Sequence, residues 1–343
     1  MAAIIYFLAA GVSAFTLWGI LPRQTAWAVR LLSIMVIASV LVLLPVQMIA
    51  ALELAGWIGA IHMWALTGVQ VGILAAILLW ALRRAPIKDQ VDEGPARGSF
   101  SFSEFPAALW ISCVVLAGSY LIFTANLVSS YPSGWDALTY HLPVALHWLQ
   151  SGSLRIASLS AWQYGLPGNA EIGMMLLMST GREALAPAVN VFALVLLGVA
   201  VYGVALHLAR GKKSAAAAVT LIALSMPIVE FQSFSGYVDL FGTAFLVAAV
   251  ALFLSRQEIL KSGRKGATST ILLFLSAIAC GVSIGTKPVF YVYAAVYCWV
   301  VAVMLMRESG LSSRAFWRGI GVVAAGVLLT SVFWFGRGFA ATG

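Results

Sequence analysis

Long apolar stretches separated by short polar segments dominate this chain, and they predict its architecture. A helix that crosses the hydrocarbon core of a bilayer needs about 20 mostly apolar residues. Stretches of roughly this length predict ten membrane-spanning helices, at residues 3–21, 30–51, 57–82, 106–128, 187–209, 214–231, 238–255, 270–286, 288–306 and 317–336. They lack the alternation of a membrane β-barrel. The pattern therefore predicts an all-α integral membrane protein.

Composition supports this prediction. Of 343 residues, 62% are hydrophobic and 9% are charged. The mean hydropathy is +0.98. A soluble protein of this length cannot bury so much apolar surface. The net charge of +8 comes from short basic clusters between apolar stretches, so no nucleic-acid partner is expected. The three cysteines lie inside apolar stretches without the spacing of a disulfide or metal site.

Basic residues give the ten helices a direction. In a ten-span topology, sixteen of the twenty Lys and Arg residues fall on one side of the membrane. These are Arg23, Arg30, Arg83, Arg84, Lys88, Arg97, Arg210, Lys212, Lys213, Arg256, Lys261, Arg264, Lys265, Arg307, Arg314 and Arg318. The other side has Arg155, Arg182, Lys287 and Arg337. The positive-inside rule makes the first side cytoplasmic and puts both termini outside.

Three regions follow from this topology. Residues 1–82 form an N-terminal three-helix segment, with the first helix predicted to be uncleaved and cleavage near residues 11–14 as the alternative. The polar segment 83–105 reads as a cytoplasmic linker. Residues 106–343 carry seven spans and the longest outer loop, 129–186. No internal repeat of the transporter kind is evident.

The outer loop is predicted to carry two helices. Apolar residues recur near helical spacing within 135–149, mixed with polar ones, which is typical of a helix lying on the membrane surface. A second such helix is predicted at 169–179. Tryptophan and tyrosine side chains in this loop suit the headgroup level.

Outward-facing acids are the first candidates for chemistry. Asp136 follows the fourth span and Asp239 opens the seventh, while Glu171 lies in the outer loop. Carboxylates at the edge of a span usually face a polar cavity or the interface. A cap of the surface helix is the alternative for Asp136, and a cap or interfacial charge is the alternative for Asp239. These three acids are also possible ligands for Mg²⁺ or Mn²⁺, although their spacing does not demand a metal.

Two outer cations suit a lipid phosphate. Lys287 lies in the tight turn between the eighth and ninth spans, and Arg337 emerges from the last span. An ammonium at headgroup depth is well placed to contact phosphate. An ordinary lysine that reaches toward the headgroups is the alternative for Lys287.

Four further outer side chains are candidates for binding a sugar or an acceptor. Tyr140 and His141 follow Asp136 closely, and one histidine of the loop is a candidate for proton transfer or for binding hydroxyls. Structural hydrogen bonding is the alternative for the histidine. Trp162 and Tyr164 are candidates for stacking on a sugar ring or for anchoring the loop.

These motifs resemble the GT-C glycosyltransferases, in particular the bacterial branch related to protein O-mannosyltransferases and the aminoarabinose transferase. The resemblance runs from about residue 106 to the end of the chain. It is carried by Gly134-Trp135-Asp136-Ala137-Leu138-Thr139-Tyr140-His141-Leu142-Pro143 with Trp148, by Tyr237-Val238-Asp239-Leu240 and by Gly285-Thr286-Lys287-Pro288.

The resemblance implies a GT-C-like fold and transfer of a sugar from a polyprenyl-phosphate donor to a lipid, glycan or protein. It implies a site on the outer face of a bacterial cytoplasmic membrane. Asp136 would then be the catalytic base or orient the acceptor, Lys287 would contact the lipid phosphate, and Asp239 would match a family aspartate that opens a later span. Some relatives use a divalent cation and others do not.

The chain departs from the family pattern in two ways. Three spans precede the matching part, and the sequence ends at Gly343 where family members continue. We therefore expect a C-terminally incomplete chain or a reduced homologue. Two other functions stay open, a non-catalytic subunit that binds polyprenyl lipid and a transporter or flippase.

Overall fold

The computed structural model describes residues 1–18, 27–56, 59–83, 105–129, 134–156, 165–263 and 266–342. Every regular element in these ranges is helical. The α-helices are α1 (Ala2–Trp18), α2 (Trp27–Leu54), α3 (Met63–Arg83), α4 (Ala107–Ser129), α5 (Leu142–Ser151), α6 (Asn169–Met178), α7 (Ala188–Leu208), α8 (Lys213–Leu224), α9 (Pro227–Phe234), α10 (Asp239–Lys261), α11 (Ala267–Ile284), α12 (Phe290–Ser309) and α13 (Arg314–Thr342). A π-helical turn (Ala137–His141) precedes α5, and a 3₁₀ turn (Glu183–Leu185) precedes α7.

Eight of these helices are long and apolar enough to cross a membrane, namely α2, α3, α4, α7, α10, α11, α12 and α13. Each coincides with one of the predicted spans. The chain is therefore a multi-pass, all-α membrane protein. The number of spans is eight among the described residues, or nine if a bent helix pair forms one more.

The predicted span at 214–231 is not one straight helix. It consists of α8 and α9, which meet at an angle of 62°. Pro227 opens α9, and Met226 before it is extended, with φ −66° and ψ 128°. Proline lacks a backbone donor and disfavours helical geometry in the residue before it, so the helix breaks there.

The first predicted span, 3–21, is only partly described. Helix α1 has 17 described residues and is shorter than each of the eight helices counted above. Residues 19–21 lie outside the described ranges. The ten-span topology therefore stays a prediction.

Helices α7, α10, α11 and α13 form the centre of the bundle, with α2 packed across them. Glycines let α11 and α13 approach closely, because a Cβ at Gly281 would lie 2.4 Å from the carbonyl oxygen of Val327. Small residues at helix interfaces are typical of proteins packed in lipid. Since α2 packs against this core, the N-terminal segment 1–82 is not isolated from the rest. Most of the predicted linker 83–105 lies outside the described ranges.

Charged pairs mark the two ends of α10. Asp239, its first residue, pairs with Lys287. Near its last turn, Arg256 pairs with Glu308 at 2.7 Å and Glu258 pairs with His207 at 2.7 Å. The rise from Asp239 to Arg256 is about 25 Å at 1.5 Å per residue. Residues predicted to be outside therefore meet at one end of α10, and residues predicted to be cytoplasmic meet at the other.

The outer loop contains both predicted helices, but the second does not lie on the surface. The π-helical turn and α5 form the first. Nine of the ten residues of α6 are buried. This corrects the prediction of a second surface helix: α6 is enclosed because it packs against α5, α7 and α2.

Candidate functional site

Three charged side chains from three separate elements meet at the end of the bundle that is predicted to be outside. The Lys287 ammonium donates to Asp239 Oδ1 at 2.9 Å and to Oδ2 at 3.1 Å. It also lies 3.7 Å from Asp136 Oδ2. The three side chains are 31%, 31% and 21% exposed for Asp136, Asp239 and Lys287. We call these three residues the charged triad.

The π-helical turn brings Tyr140 to the charged triad. Its phenol donates to Asp136 Oδ2 at 2.8 Å. Burial, with the adjacent Asp136 carboxylate, raises the pKa of Tyr140 well above its usual range. Asp136 is therefore a hydrogen-bond acceptor within the site. The alternative role as a helix cap is wrong for its side chain, which makes no capping hydrogen bond to the described turn.

Close backbone packing places Asp136 beside Asp239. Gly134 has a φ of +119°, and a Cβ there would lie 2.5 Å from the ring of Tyr237. Similarly, a Cβ on Gly236 would lie 2.7 Å from the Ala137 side chain. A residue with a side chain at 134 would be both strained and crowded. Because these two glycines have no side chain, the segment before Asp136 can pack closely against the segment before Asp239.

His141 and Glu171 form a second, deeper pair. His141 Nδ1 lies 2.6 Å from Glu171 Oε1, and the two side chains are 2% and 6% exposed. His141 Nε2 and Glu171 Oε2 are buried without a hydrogen-bond partner among the described residues. Native structures usually satisfy buried polar atoms, so two free ones on one pair indicate a place for water or a ligand.

A small cavity adjoins this pair and the charged triad. Its volume is about 10 Å³, which is room for about one water molecule. Ten residues line it: Tyr140, His141, Val144, Trp148, Leu166, Pro167, Gly168, Glu171, Thr286 and Lys287. A Cβ on Gly168 would lie 2.6 Å from Trp148 and 3.3 Å from Glu171 Oε2, so this glycine leaves space between them. We call this space the polar cavity.

Trp148 also lines a second, larger cavity of about 140 Å³. Its other lining residues come from the segment that leads into α3 and the start of that helix, from α5 and the segment that follows it, and from α6: Ile61, His62, Met63, Leu66, Leu149, Leu154 and Met175. The predicted site is therefore bordered by a second, larger space.

Arg337 lies beneath the outer loop rather than at its surface. Its side chain is buried, with the residue 2% exposed. Nη1 donates to the carbonyl of Leu154 at 3.1 Å and Nη2 to that of Leu166 at 2.7 Å. The guanidinium lies over the rings of Trp148 and Trp334, at 5.4 Å and 4.8 Å. These contacts tie α13 to the loop, and the predicted phosphate contact of Arg337 stays a prediction.

Asn169 connects the site to the core and was missed by sequence reasoning. Its Oδ1 accepts from Gln47 Nε2 at 2.7 Å and from Trp334 Nε1 at 2.8 Å. Its Nδ2 donates to the carbonyl of Val282 at 3.0 Å. The sequence signal was a lone asparagine at the start of an apolar helix, which in lipid usually has a partner.

The structure therefore brings together six predicted site residues: Asp136, Tyr140, His141, Glu171, Asp239 and Lys287. Arg337 reaches them through Trp148. Trp162 and Tyr164 lie outside the described residues. Within the described ranges, no three His, Cys, Asp or Glu side chains group to hold a metal ion. Glu171 is hydrogen-bonded to His141, and Asp239 forms an ion pair with Lys287. These acids are therefore not arranged as a set of metal ligands.

Comparison of the chain with protein-family models, with curated protein sequences and with solved structures gives no match.

Proposed function

We propose that this protein is a membrane glycosyltransferase that moves a sugar from a polyprenyl-phosphate donor to a hydroxyl of a lipid, glycan or protein. The observation that carries the proposal is the contact among Asp136, Asp239 and Lys287. These are the residues of three motifs, more than 100 positions apart at their widest, that carry the resemblance to GT-C glycosyltransferases.

The chemistry of sugar transfer fits the groups in the site. The bond between the anomeric carbon and the phosphate oxygen breaks, and charge develops on the lipid phosphate. Lys287 is partly exposed and borders the polar cavity, so its ammonium can meet that charge. Asp239 holds the ammonium in place. The acceptor hydroxyl must lose a proton, and carboxylates such as Asp136 accept hydrogen bonds from hydroxyls.

A membrane location suits both substrates. A polyprenyl donor partitions into the bilayer, and a cavity of about 140 Å³ lies beside Trp148. Arg256, which belongs to the predicted cytoplasmic set, lies about 25 Å along α10 from Asp239 of the charged triad. The positive-inside rule therefore favours an extracytoplasmic site. We propose the bacterial cytoplasmic membrane as the location.

The two other candidate functions have weaker support. A transporter built from inverted repeats would have broken helices at matching positions of two halves. Among the described residues the one bent pair is α8 with α9. A non-catalytic lipid-binding subunit would need no group that accepts a proton, whereas this site contains carboxylates and a histidine.

Reconstitution tests the proposal. The purified protein in liposomes is given polyprenyl-phosphate donors carrying a radiolabelled hexose or pentose, together with a membrane extract that supplies acceptors. We expect label to leave the donor and enter an acceptor fraction. Asp136→Asn should lower the rate about 100-fold, because Asp136 accepts from Tyr140 and lies beside Lys287, and misplacement of such groups can cost about that factor. Glu183→Gln, an exposed acid of the same loop, is the matched control and should leave the rate unchanged.

Two results would contradict the proposal. One is a normal rate in the Asp136→Asn protein once correct insertion has been verified. The other is the absence of transfer by the wild-type protein with every donor. A third outcome is that the wild type and the Asp136→Asn protein bind the donor equally well and neither transfers sugar. That outcome would favour the lipid-binding subunit.

The role of Lys287 has its own test. Lys287→Ala should weaken binding of the polyprenyl-phosphate donor more than binding of a sugar acceptor, because the phosphate carries the charge that the ammonium meets. Equal losses for donor and acceptor would count against a phosphate contact.

A further inference from the structure

We infer that His141, rather than Asp136, takes the proton of the acceptor hydroxyl, and that Glu171 is the residue that positions it. This inference rests on the proposed transferase function and narrows the role of Asp136 to orienting groups in the site. It is carried by the hydrogen-bond partners of Asp136 and His141 and by the polar cavity that His141 and Glu171 line.

Asp136 has its described acceptor contacts on one oxygen. Oδ2 receives the hydrogen bond from Tyr140 and lies 3.7 Å from the Lys287 ammonium. These contacts hold the phenol of Tyr140 and the ammonium of Lys287 in place, which is an orienting role for Asp136.

His141 is in the opposite situation. An ionised Glu171 has no proton to donate, so in the bond between Nδ1 and Oε1 the imidazole must be the donor. With the proton on Nδ1, a neutral imidazole carries its lone pair on Nε2. Nε2 is buried and has no partner among the described residues. The bond to Glu171 therefore leaves a free basic nitrogen in the interior.

The surroundings provide a place for a hydroxyl. His141, Glu171 and Gly168 all line the polar cavity, whose volume suits one oxygen-sized group. Tyr140 and Lys287 line it as well. The Lys287 ammonium also contacts Asp136 and Asp239. Arg337 packs on Trp148, which forms another part of the wall. Among the described residues, these are the titratable and charged groups that line the polar cavity or contact its lining.

The reaction balances with these groups. The acceptor oxygen forms a bond to the anomeric carbon as the bond from that carbon to the phosphate oxygen breaks. The electron pair of the broken bond leaves with the lipid phosphate. The hydroxyl proton passes to His141 Nε2, and the imidazolium that results is stabilised by the Glu171 carboxylate. The proton passes to water when the products leave.

The tautomer of His141 can be observed without any substrate. The chain has four histidines, so ¹⁵N labelling of their imidazole rings in the micelle-embedded protein gives few signals. Comparison with His141→Asn assigns the signal. We expect a protonated Nδ1 and an unprotonated Nε2, and we expect Glu171→Leu, which removes the acceptor, to abolish this fixed tautomer. A protonated Nε2 in the wild type at neutral pH would overturn the inference.

Kinetics test the catalytic part. His141→Gln should lower kcat about 100-fold, the scale of base catalysis, with KM for the donor nearly unchanged. The wild-type rate should fall toward acid pH as the imidazole takes up a proton, and this acid limb should be lost in His141→Gln. His147→Gln, which removes the histidine of α5, is the matched control and should keep the wild-type profile.

The possible failures are distinguishable. Normal kcat in His141→Gln, or an acid limb that survives in it, overturns the base role of His141 while wild-type transfer still supports the transferase. Absence of transfer by the wild type overturns the proposed function and with it the catalytic role, whatever the tautomer is.

Discussion

Lys287 donates to both carboxylate oxygens of Asp239 and thereby fastens the turn between α11 and α12 to the first residue of α10. The same ammonium lies 3.7 Å from Asp136, which comes from the outer loop. One cation therefore holds two carboxylates from different elements, and without it these carboxylates would repel each other.

Removal of the Lys287 ammonium should destabilise the end of the bundle that contains the charged triad. Lys287→Met leaves two neighbouring carboxylates without a counter-ion. The groups are partly exposed, so we expect a loss of about 1 kcal/mol, or about 2 °C in the thermal unfolding midpoint measured in micelles. Lys261→Met, at the exposed other end of α10, is the control and should shift the midpoint by less than about 0.5 °C. Equal shifts in both variants would contradict the prediction.

A methyl group at Gly285 should be poorly tolerated. Its Cβ would lie 2.3 Å from Asn169 Nδ2 and 2.9 Å from the carbonyl oxygen of Thr330. We expect Gly285→Ala to cost about 1–3 kcal/mol through overpacking. At Gly321 of α13, by contrast, a Cβ meets nothing within 4 Å. Gly321→Ala should be neutral or stabilise the helix by up to about 1 kcal/mol. Unfolding midpoints that rank the other way would refute this.

Loss of the Asn169 amide should affect several helices together. Asn169→Leu leaves the donors of Gln47 and Trp334 and the Val282 carbonyl without this partner in the core. The Val282 carbonyl still accepts from Thr286. Gln47 keeps a longer bond to the Thr330 carbonyl, so the main loss is the partner of Trp334. At about 1–3 kcal/mol for an unsatisfied buried group, we expect a loss of about that size. Ser112→Ala, which removes an exposed hydroxyl from α4, should change stability by less than about 0.5 kcal/mol. A loss of that small size in Asn169→Leu would show that the amide is dispensable.

Tyr140 should stay protonated in alkaline solution. Its pKa is raised, so the folded state favours the neutral phenol, and the resulting stability is complete below the ordinary tyrosine pKa of about 10. That stability is lost as the pH rises above this value, because the unfolded chain then ionises first. We expect wild type and Tyr140→Phe to develop the same tyrosinate absorbance between pH 10 and about 11 when folded. After denaturation the wild type should have the signal of one more tyrosinate. A difference in the folded proteins would contradict the prediction.

Arg337 offers a way to separate a structural role from a phosphate contact. Lysine lacks the planar fork that reaches the carbonyls of Leu154 and Leu166 while lying on two indoles. We expect Arg337→Lys to lower the unfolding midpoint, by an amount corresponding to about 2 kcal/mol. A phosphate contact would instead lower donor affinity in this variant and leave the midpoint unchanged. Both quantities are measured on the same preparation.

Hydropathy predicted the eight long helices because burial in lipid depends on local composition. The candidate residues Asp136, Asp239 and Lys287 could also be identified from the sequence, since charged residues are rare in it. The bend at Pro227 was missed, although a proline inside a predicted span is a local signal. The burial of α6 was not predictable in this way, because its apolar residues suit a surface helix and an enclosed helix equally.

Long-range partners were the other omission. Asn169 gains its role from Gln47, Trp334 and Val282, which lie on three other helices. Likewise, the pairing of His141 with Glu171 joins residues 30 positions apart. Hydropathy contains no information on which polar residues of separate segments meet, so these contacts needed the three-dimensional structure.

The π-helical turn at Ala137–His141 makes the geometry of this site sensitive to the length of the chain. In it the Leu142 amide donates to the carbonyl of Ala137, five positions back, so the turn holds one residue more than an α-helix would. Removal of any single residue there would restore α-helical geometry and rotate the residues before it by about 100° relative to α5. Asp136 and His141 would then no longer face the same space. Loss of Leu138 or Thr139 alone would therefore disrupt the candidate site, although Asp136, Tyr140 and His141 would all be retained.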